Sequence, residues 1–242
     1  MRLDRWLVSL GVGSRSQVQK LIRSGAVQVG GQPARDPAKS FQGNEPLTLR
    51  GEPLDGRLTR HIMLNKPSGL LTAARDSRQP TVMDLLPPAC LALGCMPVGR
   101  LDKDTTGLLL LTTDGELNHR LLAPGRHVDK TYRATVDGPL TQAHTAAFAA
   151  GLRLSDFDAQ PAKLTILSSG EEASIALVTV HEGKFHQVKR MFEAVERQVT
   201  ALHRLTFGSL HLDEALAPGQ WRELTDVELE GLYRDAQMKE SI

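Results

Sequence analysis

The run Gly99-Arg100-Leu101-Asp102-Lys103-Asp104-Thr105-Thr106-Gly107-Leu108 gathers two carboxylates, two cations and two hydroxyls into one short stretch. It feeds directly into the four leucines 108–111, which read as a strand buried on both faces, so the polar side chains are anchored to rigid core. One chemistry open to such a loop is nucleophilic or general-base work by a single aspartate. Another is paired-carboxylate hydrolysis through Asp102 and Asp104, although no metal-ligand set or nucleophile triad accompanies them. A plain strand-entry turn, with Asp and Thr satisfying local backbone donors, explains the same residues without any chemistry. Residue chemistry alone separates neither these readings nor Asp102 from Asp104.

The elements that must hold this loop are readable from periodicity. Ile62-Met63-Leu64, Leu108–Leu111, Tyr132–Val136 and Ile175–Val180 read as strands, and Val188, Met191, Phe192 and Val195 have helical spacing. Strands mixed with helices, without regular βα alternation, predict an α+β body with a mainly antiparallel mixed sheet flanked by helices. Ahead of it the pattern differs. Leu3, Trp6, Leu7 and Leu10 mark a first helix, and Ser14 with Gln17 forms a capping box for a second helix bearing Val18, Leu21 and Ile22. Gly25 is placed to end that helix, and Val27, Val29 and the Gly30-Gly31 turn start a hairpin. Residues 51–60 are polar, with Gly and Pro and no sustained periodicity.

Length and composition suit a two-domain globular chain: 242 residues, 40% hydrophobic and 24% charged. No apolar run long enough for a membrane span occurs, and the charged start lacks a signal-peptide core, so a cytoplasmic location is expected. Cys90 and Cys95 read as two thiols in a small-residue segment, and without a second Cys or His pair at ligand spacing no metal is assigned. The net charge is only +1, but residues 1–50 carry eight Lys/Arg against Asp4, Asp36 and Glu45. The C-terminal stretch is acidic, with Asp213, Glu214, Glu223, Asp226, Glu228, Glu230, Asp235 and Glu240. Such asymmetry suits a small polyanion-binding module, with Arg2, Arg5, Arg15, Lys20 and Arg23 as its contacts, joined to a larger body.

The segments Arg2-Leu3-Asp4-Arg5, Ser14-Arg15, Leu21-Ile22-Arg23-Ser24-Gly25 and Val27-Gln28-Val29-Gly30-Gly31 resemble the S4 RNA-binding domain over nearly its whole length. Arg-Leu-Asp-x-x-Thr-x-Gly followed by four leucines resembles the active-site signature of ribosomal RNA pseudouridine synthases that carry an N-terminal S4 domain. Met63-Leu64-Asn65-Lys66-Pro67-Ser68-Gly69, Lys130-Thr131-Tyr132 and the segment Glu182–Phe192 are similar to that family in the same order. The resemblance covers about residues 1–230. It implies Asp102 as the catalytic aspartate, Tyr132 as the aromatic beneath the uracil, and Lys189, rather than Arg190, as the cation beside Asp102. It implies that Arg100 enters the RNA in place of the extruded base, with Val188 and Thr106 lining the site and Lys184 and Arg190 touching RNA.

The implied boundaries are an S4-like domain at 1–55, a linker at 56–60, a catalytic domain at 61–233 and a tail at 234–242. The reaction exchanges one carbon–nitrogen bond for one carbon–carbon bond with no net redox change, so no cofactor is expected. The expected partner is small-subunit ribosomal RNA or its assembly intermediate, met by a monomer with no membrane attachment. Lys184-Phe185-His186-Gln187-Val188-Lys189 and the stretch Leu216–Thr225 look more like the small-subunit group than its large-subunit relatives. The rival readings are a large-subunit enzyme of the same family and a non-catalytic S4-type ribosome-assembly protein.

Overall fold

The computed structural model describes residues 1–238; the end of the expected tail, including Glu240, lies outside the described residues. The chain divides into two compact units, residues 1–60 with 86–95, and residues 61–85 with 96 onward.

The first unit pairs helices α1 (Leu3–Ser9) and α2 (Arg15–Arg23) with a four-stranded antiparallel sheet. Its strands β1 (Val27–Val29), β2 (Gln32–Pro33), β3 (Leu47–Leu49) and β4 (Glu52–Leu54) lie in the order β2-β1-β3-β4. The helical stripe forms the core, where Leu3, Leu7, Val18 and Ile22 are fully buried beside Val27 and Phe41. Ser14 Oγ accepts from Gln17 N at 3.4 Å while Gln17 Oε1 accepts from Ser14 N at 2.8 Å, which is the reciprocal cap read from sequence. Gly30 and Gly31 both take positive φ, as a two-residue hairpin between right-twisted strands requires.

Residues 56–60, expected as a linker, are held within this unit. Trp6 Nε1 donates to Gly56 O at 2.7 Å, and the buried Arg60 donates to Asp55 at 2.6 Å. Residues 86–95, counted from sequence with the catalytic body, also belong to the first unit. They carry helix α3 (Pro88–Ala92), and Leu93 packs on the α1/α2 core.

The second unit is built on one large sheet. Its strands are β5 (His61–Lys66), β6 (Met96–Pro97), β7 (Thr106–Thr112), β8 (Lys130–Asp137), β11 (Lys163–Ser168), β12 (Ala173–Val180), β13 (Val199–Phe207), β14 (Leu210–His211) and β15 (Trp221–Glu223). A separate small hairpin joins β9 (Leu152–Arg153) to β10 (Asp158–Ala159). The main order is β11-β12-β8-β13-β7-β5-β15, and every pair in it is antiparallel except β13 with β7. Helices α4 (Gly115–Leu122) and α7 (Asp226–Asp235) bury Leu117, Leu121 and Leu232 with Met63, Leu108, Leu110 and Phe207 of the sheet. Helix α5 (Gln142–Ala150) sets Phe148 against Phe192 of helix α6 (Gln187–Glu193), ring centroids 5.0 Å apart. The α+β class is as expected, and all four leucines of β7 are fully buried.

Candidate active site

The loop 99–105 enters β7 where that strand runs beside β13, and Gly107 makes this approach possible. Its φ is +99°, and a Cβ added there would lie 2.3 Å from the carbonyl oxygen of Arg204. Register then carries a single row across the sheet: Tyr132 lies opposite Arg204, Arg204 opposite Gly107, and Gly107 opposite Lys66. Residues directly opposite on neighbouring strands present their side chains to one face, so Tyr132, Arg204 and Lys66 share it. All three are buried.

Lys66 is a buried cation aimed at the loop. Its Nζ donates to the carbonyls of Pro67, Lys103 and Thr105 at 3.1, 3.1 and 3.0 Å. Burial pulls its pKa down to about 8, against the opposing pull of Asp104 and Asp102. On the other side of Asp102, Thr72 Oγ1 donates to Leu101 O at 2.8 Å and accepts from Leu101 N at 3.2 Å. Gly69 N adds a bond to Lys103 O at 2.8 Å. Asp102 is therefore flanked by backbone clamped on both sides, while its own carboxylate stays partly open.

Two basic side chains from the α6 region reach that carboxylate. Lys189 Nζ lies 3.6 Å from Asp102 Oδ2, and His186 Nε2 lies 3.5 Å from Asp102 Oδ1. Lys189 is closer to the second aspartate: its Nζ bonds both carboxylate oxygens of Asp104 at 2.7 and 2.8 Å. That contact holds the Asp104 carboxyl below the usual range. The lysine thus serves both aspartates, where the sequence reading assigned it to Asp102 alone. Arg190 is engaged elsewhere, pairing with Asp156 and with Ser155 Oγ at 2.9 Å.

The remaining sequence-derived residues fall as follows. Val188 is buried in the first turn of α6. Arg100 is exposed and makes no hydrogen bond or ion pair among the described residues. Thr106 is tied into the sheet instead of facing open space, with Oγ1 2.8 Å from His203 Nδ1 and 3.3 Å from Leu202 O. Lys184 is exposed, its Nζ 5.9 Å from the Phe157 ring centroid.

In the first unit, Arg2, Arg5, Arg15, Lys20 and Arg23 are all exposed. Arg2 and Arg15 converge on the buried Asp4, at 2.9 and 3.7 Å. Gln19 also donates to Asp4, at 3.1 Å, and the carboxyl is held at a pKa of about 2, chiefly by the Arg2 bonds.

Sequence reasoning missed the roles of Lys66, Thr72 and His186. A lysine directly before proline at the end of an apolar strand was a usable signal for Lys66. No pattern in the sequence marks Thr72, and His186 lies in the Lys184–Lys189 segment with no feature of its own to single it out.

A family model described as RNA pseudouridylate synthase matches residues 60–194, and one described as S4 domain matches residues 1–46. An uncharacterized RNA pseudouridine synthase of Bacillus subtilis is 43% identical over 231 residues, covering 95% of this chain and 97% of that one. The ribosomal small subunit pseudouridine synthase A of Pseudomonas aeruginosa is 41% identical over 235 residues, covering 95% and 99%. A crystal structure of a pseudouridylate synthase superposes with a TM-score of 0.67 at 36% identity, covering 96% of this chain and 99% of that one.

Proposed function

The chain belongs to the RNA pseudouridylate synthase family, an isomerase preceded by an S4 domain, and on that premise we propose that it isomerises one uridine of small-subunit ribosomal RNA through Asp102. The observation that carries the reading is a partly open carboxylate on a doubly clamped loop, with Lys189 and His186 each within 4 Å. A base inside an RNA helix is out of reach, so the uridine is extruded at a cost of a few kcal/mol. The exposed, unpaired guanidinium of Arg100 is suited to fill the gap and stack there. Tyr132 gives the uracil a flat wall, and Val188 closes the apolar side.

Asp102 acts on the ribose, by attack on C1′ or by removal of a ribose proton, and the N1–C1′ bond breaks. The uracil turns and C5 bonds to C1′ as the bond to Asp102 breaks or the ribose proton returns; C5 then loses its proton and N1 gains one. Lys189 Nζ, 3.6 Å from Oδ2, offsets the charge of the carboxylate in a pocket from which the base displaces water. Atoms balance within the nucleotide, so the residues need only position groups and move protons. Exposed Arg2, Arg5, Arg15, Lys20 and Arg23 of the S4 domain hold the RNA by its phosphates, with Lys184 and Arg190 adding contacts near the site.

Support for the small-subunit target comes from the Pseudomonas relative and from the α6 and Leu216–Thr225 segments. The test is incubation with small-subunit RNA, naked and partly assembled, followed by chemical mapping of pseudouridine. Wild type forms it and Asp102→Asn does not, while both bind the RNA alike. Measurable product from purified Asp102→Asn overturns the assignment of Asp102, and modification confined to large-subunit RNA overturns the target.

A further inference from the structure

Phe185 is anomalous for a phenylalanine of this chain. Four of the six are buried and Phe157 is half-buried, yet Phe185 is 73% exposed. Exposed aromatics on mobile loops are common, but this one is fixed. Its ring stacks on His186 with centroids 3.8 Å apart and planes 16° from parallel. His186 takes a left-handed backbone (φ 50°) at the cap of α6, and its Nε2 faces Asp102. On the preceding side, buried Gln187 accepts from Lys184 N at 3.2 Å and donates to Glu182 at 2.9 Å. Asp102, His186 and Phe185 therefore form a ladder leading outward from the carboxylate, and its last rung has one face in water.

We propose that the open face of Phe185 is a stacking platform for the nucleobase next to the extruded uridine, which rests on the reading of this site as a pseudouridine synthase. Extruding the uridine strips its neighbour of one stacking partner. A phenyl ring at the rim, at the layer spacing of stacked bases, restores that partner without reading the base's identity. Lys184, Lys189 and Arg190 surround the platform in sequence and supply charge for the backbone that such a base carries. A second RNA-binding element beside the chemistry gives the catalytic unit its own grip on the strand.

Alanine loss of one stacked base corresponds to about 1–3 kcal/mol, or about 5- to 150-fold. Wild type, Phe185→Leu and Phe185→Trp are compared for kcat/KM on a small-subunit RNA transcript. They are also compared for binding to the same RNA carrying 2-aminopurine on either side of the modified uridine. Leucine keeps apolar area without a π face, so Phe185→Leu loses at least about fivefold in kcat/KM and loses 2-aminopurine quenching, and Phe185→Trp restores both. Because the side chain is exposed, thermal melting separates loss of fold from loss of platform. Quenching and kcat/KM of Phe185→Leu within about twofold of wild type overturn the proposal, as does Phe185→Trp behaving like Phe185→Leu. The quenching titration reads the platform even if wild type makes no pseudouridine, an outcome that would overturn the functional reading alone.

Discussion

Replacing Lys66 by methionine removes a buried charge that clamps the backbone on the C-terminal side of Asp102 while nearly preserving side-chain volume. Three hydrogen bonds from an ammonium group to carbonyls are lost. At about 1.5–3 kcal/mol for each bond to a charged donor, the gross loss is about 4–9 kcal/mol. Against it stands the cost of keeping the ammonium buried. The fall of its pKa from 10.5 to about 8 corresponds to about 3 kcal/mol, which methionine recovers. The net expectation is a loss of about 1–6 kcal/mol in urea unfolding. Turnover falls further, because a shift of about 1 Å in a catalytic group costs about a hundredfold.

pH supplies an independent check on Lys66. The unfolded chain keeps the Lys66 proton up to about 10.5 while the folded one releases it near 8. Wild-type stability therefore gains from this residue as pH rises between those values, and Lys66→Met lacks that increment. Lys130, also lowered to about 8 by burial, contributes equally to both proteins and cancels in the difference. A Lys66→Met protein with the wild-type urea midpoint, single-turnover rates within threefold, and an unchanged pH dependence of stability would refute the clamp.

Gly107→Ala should cost at least about 3 kcal/mol, seen as a large drop in melting temperature or as insoluble expression, since the new Cβ meets the Arg204 backbone at a positive φ. Asp4→Asn should destabilise the protein by about 1 kcal/mol near neutral pH, a figure reduced for the solvent around a small unit. The Asp4 carboxyl titrates at about 2 when folded and near 3.8 when unfolded, so its contribution is present above about pH 4. It disappears as pH falls through about 2, and acid unfolding curves of the two proteins should converge there.

Much of this architecture was legible because single periodicities dominated. The helices of the first unit, the cap at Ser14, the Gly30-Gly31 hairpin and the leucine strand β7 all carry one pattern without interruption. Strand β13 does not. Its register shifts between Val199 and Ala201 and again between Arg204 and Thr206, and it buries an arginine, so the alternation that announces a strand is broken twice. The unit boundary failed for a related reason. Residues 86–95 fold with a partner far away in sequence, and nothing local announces that return. At the site, the loop's own chemistry did not rank Asp102 above Asp104, and the geometry shows why: both carboxylates lie within 4 Å of the same lysine nitrogen.

The insertion of β13 between β7 and β8 also bears on how the protein is made. During synthesis β7 can pair with β5, and β8 with β12, well before residues 199–207 emerge. Until then each half-sheet presents an open edge, one of them residues 106–109 of β7, whose 110–112 end is already covered by the segment 96–98, and the row from Tyr132 to Lys66 is interrupted in the middle. Apolar edges of this kind recruit other strands. A ribosome stalled before residue 207 would therefore carry an aggregation-prone nascent chain with no assembled catalytic face, and proper closure of the sheet depends on late, long-range pairing, the slow class of folding step.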